Sequence, residues 1–131
     1  MSSRSRLLSP ILLLLLLLPS CSKDLQPVSV YIVTYTLETQ GSVTITSAQY
    51  LAPDGKWTDV PANQTNWADF FTFPAGSRVG FRATGSIAGA GMIRMTAQGS
   101  STNNMLVDLS DTATGTSGTT LFNLDKTQLL Q

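Results

Sequence analysis

The feature that most constrains this chain is a strict two-residue alternation of apolar and polar side chains, repeated in three places. In "RVGFRATG" Val79, Phe81 and Ala83 alternate with Arg78, Arg82 and Thr84. In "MIRMTAQ" Ile93, Met95 and Ala97 alternate with Arg94, Thr96 and Gln98, and in "NNMLVDLS" the apolar positions are Met105, Val107 and Leu109. Successive side chains of a strand point to opposite faces, so this period describes half-buried strands. No long helical period competes with it.

The remainder of the chain behind residue 27 reads in the same way. "VSVYIVTYTLE" from Val28 is rich in Val, Ile, Tyr and Thr, which fit a pleated surface. Tyr31, Val33, Tyr35 and Leu37 share one face and Val28, Val30 and Ile32 the other, so this strand should be central or covered on both sides. "TQGS" (39–42) reads as a turn, and "VTITSAQYL" as a second strand that makes a hairpin with the first. Pro53, Asp54 and Gly55 form the next turn, because proline presets φ and glycine supplies a positive one. Strand resumes at 57–60, "PANQTN" is loop, and "WADFFTF" (67–73) is strand again. "SIAGAG" reads as a flexible link and "DTATGTSGTT" as a mobile loop, while "LFNLDKTQLLQ" suits a last strand or a short helix. About seven short strands at roughly 8–12-residue spacing predict an all-β fold, a single β-sandwich. Its expected span is 28–110, with 111–131 as a loop and C-terminal segment.

Ahead of this domain, Arg4 and Arg6 precede a run (7–18) that is apolar except for Ser9 and Pro10. As a helix it would cover only about half of a bilayer core. A basic start, a short apolar stretch and a small residue before a cut site describe an export signal rather than a membrane span. Leu18-Pro19-Ser20-Cys21 resembles the bacterial lipobox, an aliphatic residue, a small one at −1, then cysteine; Pro19 at −2 departs from the usual residue. The resemblance implies a signal peptide (1–20) removed before Cys21, lipidation of Cys21, and a lipidated tether (21–27). A single acyl chain binds a membrane marginally while two or three hold firmly, which suits a multiply acylated anchor. Ser22 in place of aspartate resembles lipoproteins sent to the outer membrane. Lys23-Asp24 partly resembles the tether of surface-displayed Bacteroidetes lipoproteins. The expected location is thus the outer membrane of a bacterial envelope, with the periplasmic and surface-facing sides both open.

Composition then excludes chemistries. Without the leader, six basic residues stand against eight acids, a net charge of −2, which offers no basic face for nucleic acid. The chain has no histidine, and Cys21 is its only cysteine. Imidazole and thiolate zinc sites, histidine-based triads and disulfides are therefore excluded. Asp54, Asp59 and Asp69 bear on a glycosidase's carboxylate pair or on calcium, yet a turn and outward strand faces account for them, and EF-hand spacing is missing. No catalytic residue, metal or cofactor is expected.

Tyr31-x-Val33-x-Tyr35-x-Leu37, Tyr50 with Asp54-Gly55, Trp67, and Gly76-x-x-Val79 with Ala83 form a series over about residues 28–110. It is similar to MmpS-type domains and to small lipoprotein sandwiches of Bacteroidetes. It departs from the former in lacking a paired cysteine and a Leu-Pro-Trp triplet, and in carrying a lipobox where those proteins have a membrane helix. The resemblance implies an immunoglobulin-like β-sandwich serving as a non-catalytic binding or accessory module. Trp57, Trp67, Phe70, Phe71 and Phe73 concentrate aromatic mass in one third of the domain. Trp67 reads as core; Trp57, after a tight turn and among polar neighbours, reads as exposed contact surface with Asn63, Gln64 and Asn66. The expected partners are the membrane, through the N-terminal lipid, and an envelope protein or saccharide. A structural or surface-coat lipoprotein without a ligand, and a carboxylate-dependent hydrolase, are the alternatives. Asp111-Thr112-Ala113 also resembles a Bacteroidetes O-glycosylation triplet.

Overall fold

The computed structural model describes residues 29–61 and 66–131. The leader, Cys21, the tether, Val28, Asn63 and Gln64 lie outside the described residues. Within them the chain is all-β, with strands β1 (Val30–Leu51), β2 (Trp57–Asp59), β3 (Trp67–Pro74), β4 (Arg78–Ser101), β5 (Leu106–Gly115) and β6 (Thr119–Leu129). All six belong to one antiparallel sheet.

Two long strands organise it. β1 and β4 pair from Tyr31↔Ser101 to Tyr50↔Phe81. On the other edge of β1, β3 covers its first part (Val30↔Pro74 to Leu37↔Trp67) and β2 its end (Leu51↔Trp57). On the other edge of β4, β6 covers the first half and β5 the second. A straight β1 would separate Val30 from Tyr50 by about 65 Å. Yet only Ala75, Gly76 and Ser77 connect Pro74, paired with Val30, to Arg78, which lies beyond the Phe81–Tyr50 pair. The long strands must therefore bend sharply, and the sheet folds over on itself.

The fold line is where the register slips, between Gly41 and Ser42 in β1 and across Gly89-Ala90 in β4, with a second irregularity between Ile45 and Ser47. Gly41 has φ +77°, and a methyl group on it would lie 2.5 Å from the Ala90 carbonyl oxygen. Gly91 has the reciprocal limit, 2.8 Å from the Gln40 carbonyl oxygen. Only glycine accepts that backbone and that approach, so these residues make the corner. β5 ends and β6 begins at the same line, where the Gly89 N–H donates to the Gly118 carbonyl (2.7 Å).

Folding gives two layers. The first holds β3, the first half of β1, the second half of β4, and β5; the second holds β2 and β6 with the remaining halves. Their facing sides form the core: Tyr31, Val33, Tyr35, Leu37, Ile93 and Met95 meet Val79, Phe81, Ile87, Phe122 and Leu124. The Tyr35 hydroxyl crosses between layers, donating to the Leu51 carbonyl (2.8 Å) and accepting from the Gly80 N–H (3.3 Å). Tyr50 stacks on Trp67 and Phe71 with ring centroids 5.2 and 5.1 Å apart, closing the side between β2 and β3. Aromatic pairs of this kind contribute about 0.5–1.5 kcal/mol each beyond area burial. Away from the glycine corner, the opposite end of the sandwich gathers Ser29, residues 75–77 and the C-terminus. There the Ala75 N–H donates to the Ser29 carbonyl, Gly76 to Leu130, and Leu130 to Ser77.

The sandwich-like all-β expectation holds, with its two layers made from one bent sheet, and its details change. Six strands replace about seven short ones, because "TQGS" and "SIAGAG" are bends inside β1 and β4 rather than a hairpin turn and a flexible link. "DTATGTSGTT" is not a mobile loop: most of it extends β5 or starts β6, with a turn at residues 116–118. The final segment is a strand, not a helix, so the sandwich runs to Leu129 instead of stopping at residue 110. Glycine marks turns in isolated sequence, but it equally lets a strand fold sharply against another backbone.

Candidate functional site

On the outer face of the second layer, register places Asp59, Gln49, Arg82 and Asp125 side by side on β2, β1, β4 and β6. The Gln49 amide donates to Asp59 Oδ1 (2.8 Å), and Arg82 Nε donates to Gln49 Oε1 (2.8 Å). The Arg82 guanidinium sits 4.1 Å above the centroid of the Trp57 ring. Trp57 is placed by the preceding turn, where Gly55 takes φ +83° and Asp54 Oδ1 accepts the Lys56 N–H (3.0 Å). The indole is half-buried, whereas Trp67 is buried against Tyr50. A carboxylate, an amide and a guanidinium, joined by two hydrogen bonds with the guanidinium over the indole face, offer donors and acceptors in fixed order. Such a row suits hydroxyl and amide groups of a ligand.

Asn66 stands elsewhere. Its Oδ1 accepts the Thr39 N–H (3.2 Å), and with Thr36, Glu38, Gln40 and Ala68 it borders an open, shallow groove of about 490 Å³. Trp57 and Asn66 have different surroundings, Trp57 under the Arg82 guanidinium on the outer face of the second layer and Asn66 at the groove beside Thr39. Asn63 and Gln64 are outside the described residues. The partner that the structure gives Trp57, Arg82, and the Gln49 that holds Arg82 were missed by sequence reasoning. Arg82 was legible as outward, but its neighbours depend on a cross-strand register that hydrophobic pattern alone does not fix.

The acids are dispersed. Asp54 holds its turn, Asp59 accepts from Gln49, and Asp69 Oδ1 accepts the Phe70 N–H (2.9 Å). Among the described residues no three Asp, Glu, His or Cys side chains gather into a group that would hold a metal ion. Burial pushes the Tyr35 phenol up to about 12, opposed by the Gly80 N–H. Burial raises Tyr50 as well, helped by the charge of Asp69. Thr112 is exposed on β5, where its hydroxyl accepts from Arg94 Nε (3.3 Å).

No protein family, curated protein or solved structure matches this chain. The functional reading therefore rests on its own residues.

Proposed function

We propose that this chain is a lipid-anchored module of a bacterial envelope, held at the outer membrane through Cys21, whose sandwich binds a partner and catalyses no reaction. The observation that carries the reading is Leu18-Pro19-Ser20-Cys21, placed directly behind a basic and then apolar leader, with no other cysteine in the chain. The binding half draws support from the Trp57, Arg82, Gln49 and Asp59 row. A saccharide or a polar loop of an envelope protein fits it, because each supplies hydroxyls or amides that pair with fixed donors and acceptors. With no histidine in the chain, proton transfer near neutral pH would fall to dispersed carboxylates.

Metabolic labelling with a clickable palmitate tests the anchor. Wild type should take up label and Cys21→Ala should not; undiminished label in the variant overturns the anchored reading. Capture of envelope glycans or proteins by wild type and by Arg82→Ala tests the binding surface. Equal capture by the two removes Arg82 and its row from the proposed contact.

A further inference from the structure

We infer that the end of the sandwich at Ser29, together with the outer face of the first layer beside it, rests on the lipid surface. This inference rests on the anchored reading and adds an orientation to it. Six large apolar side chains are exposed among the described residues: Ile32, Phe70, Met105, Leu106, Leu121 and Leu129. Exposed apolar residues scattered singly need no explanation, but these are not scattered. Register puts Ile32 and Leu106 in one cross-strand row with Thr72 and Ser100, one row from the Val30–Pro74 pair. Phe70 stands opposite Thr34 in the next row. Met105 follows the 101–104 turn, which is tied to the chain's N-terminal side by the Thr102 N–H to Val30 carbonyl bond and by Asn103 to Ser29. Leu129 adjoins Leu130, which is bonded to the 76–77 link. Only Leu121 belongs to the glycine corner.

Charge sharpens the pattern. The two outward rows nearest Ser29, Val30–Pro74 and Thr72–Ile32–Ser100–Leu106, contain no ionisable side chain. Arg78, a cation among the described residues at this end, lies opposite Leu129 on the outward side of the second layer. An apolar, uncharged surface with an arginine at its margin matches the headgroup–acyl boundary, where apolar groups enter and a guanidinium meets phosphate. The chain's own connectivity selects lipid as the occupant. Cys21 is eight residues before Ser29, so even fully extended chain allows at most about 28 Å between them. The apolar end of the domain is therefore the end that an acylated Cys21 holds close to the bilayer.

The test uses the full chain reconstituted in phosphatidylethanolamine–phosphatidylglycerol vesicles, with and without bromine on the acyl chains. Leu106→Trp and Leu121→Trp each add one reporter at an exposed site, read as the difference from the parent chain. The Leu106→Trp reporter should lose about half or more of its emission to brominated lipid, as for a ring about 5–10 Å into the boundary. The Leu121→Trp reporter should be unaffected. If Leu106→Trp alters the near-ultraviolet signature of the fold, Phe70→Trp replaces it with the same expectation. Equal quenching at the two ends, or none at either, overturns the inference. An unquenched Leu106→Trp in a chain that cross-links as a dimer also overturns it, in favour of a self-contact. Fatty-acid labelling separates the two readings. A labelled but unquenched chain keeps the anchor and refutes the contact. If Cys21→Ala retains its label while its Leu106→Trp reporter is still quenched, the contact stands and the acyl anchor is refuted.

Discussion

The folded sheet makes a sharp demand on Gly41, and Gly41→Ala measures it. Two costs arise there. The first is backbone strain, because φ is +77° at this position and an L side chain in the left-handed region costs roughly 1–2 kcal/mol. The second is steric, because the new methyl would lie 2.5 Å from the Ala90 carbonyl oxygen and 2.9 Å from Gly91 Cα. Both atoms are backbone of the paired long strand, so neither can swing aside, and forced overpacking of this sort costs about 1–3 kcal/mol. The expected loss is about 2–5 kcal/mol. Gly55→Ala is the matched control: φ is +83°, but nothing lies within 4 Å of the added methyl. It should show the strain alone, about 1–2 kcal/mol. The smaller unfolded-state entropy of alanine helps both variants alike and cancels in the comparison. Urea unfolding of the chain from Ser22 onward reads the difference as a lower midpoint at unchanged slope. Thermal unfolding should follow, with Gly41→Ala melting below Gly55→Ala by roughly 4–8 °C for each kcal/mol. If Gly41→Ala costs no more than Gly55→Ala, the two long strands do not meet at this corner and the two-layer description is wrong.

Three further outcomes check other parts of the reasoning. Phe81→Ala should cost about 3–5 kcal/mol, as for a large core aromatic, while Arg82→Ala, which gives up an exposed contact with Trp57, should cost about 1 kcal/mol or less; equal effects in urea unfolding would mean that the inward and outward faces are assigned wrongly. Acrylamide should quench the tryptophan left in Trp67→Phe more strongly than the one left in Trp57→Phe, and the reverse order would place Trp57 in the core. The Tyr35 phenol is held up to about 12 against about 10 in the unfolded chain, so its neutral form belongs to the native state. Its contribution is complete below pH 10 and is lost as pH rises towards 12, so the urea midpoint of wild type should fall faster over that window than that of Tyr35→Phe; parallel declines would refute the assignment.

Much of the fold was legible because strand alternation is a local property. Val79, Phe81, Ala83, Ile93, Met95, Ala97 and Val107 all face the core as their two-residue period requires, and Tyr31, Val33, Tyr35 and Leu37 do the same from β1. Met105, which the same period places inward, precedes β5 and is exposed. Phe70 and Phe71 also separate as their order dictates, one exposed and the other against Tyr50. The division into elements was less legible. Gly41 in "TQGS" and Gly89-Ala90-Gly91 in "SIAGAG" carry the same local signal whether a chain reverses there or only bends. What decides is the partner strand: Gly41 lies opposite Gly91, so each bend occurs where the other strand also bends. Thr112 and Thr114 look like loop residues, yet they are the outward positions of an edge strand. The candidate site was half legible for a related reason. Turn chemistry at Pro53-Asp54-Gly55 located Trp57, whereas Arg82 over its ring comes from 25 positions away, and Gln49, which holds Arg82, from 33 positions before Arg82, through register alone.

The folded sheet also gives the two proposed surfaces opposite senses. Ile32, Phe70 and Leu106 lie on the outer face of the first layer, and Trp57, Gln49, Asp59 and Arg82 on the outer face of the second. The core packed between the layers, with Tyr35 bonded to Leu51 and Gly80 across it, fixes one face against the other. A domain lying with its first layer on lipid therefore turns the indole and its polar row away from the bilayer, towards soluble partners. The chemistry of the two faces agrees with that division. The two rows next to Ser29 hold no ionisable group, so their dehydration costs little, and the outward ionisable groups of the first layer, Asp108, Glu38 and Arg94, lie in rows farther from Ser29. Asp59, Arg82 and Asp125 would each incur a large desolvation penalty if pressed into lipid. Lipid contact at the Ser29-side rows and hydration of the second face thus follow from a single orientation, and reversing it would place the charged row where its solvation is lost.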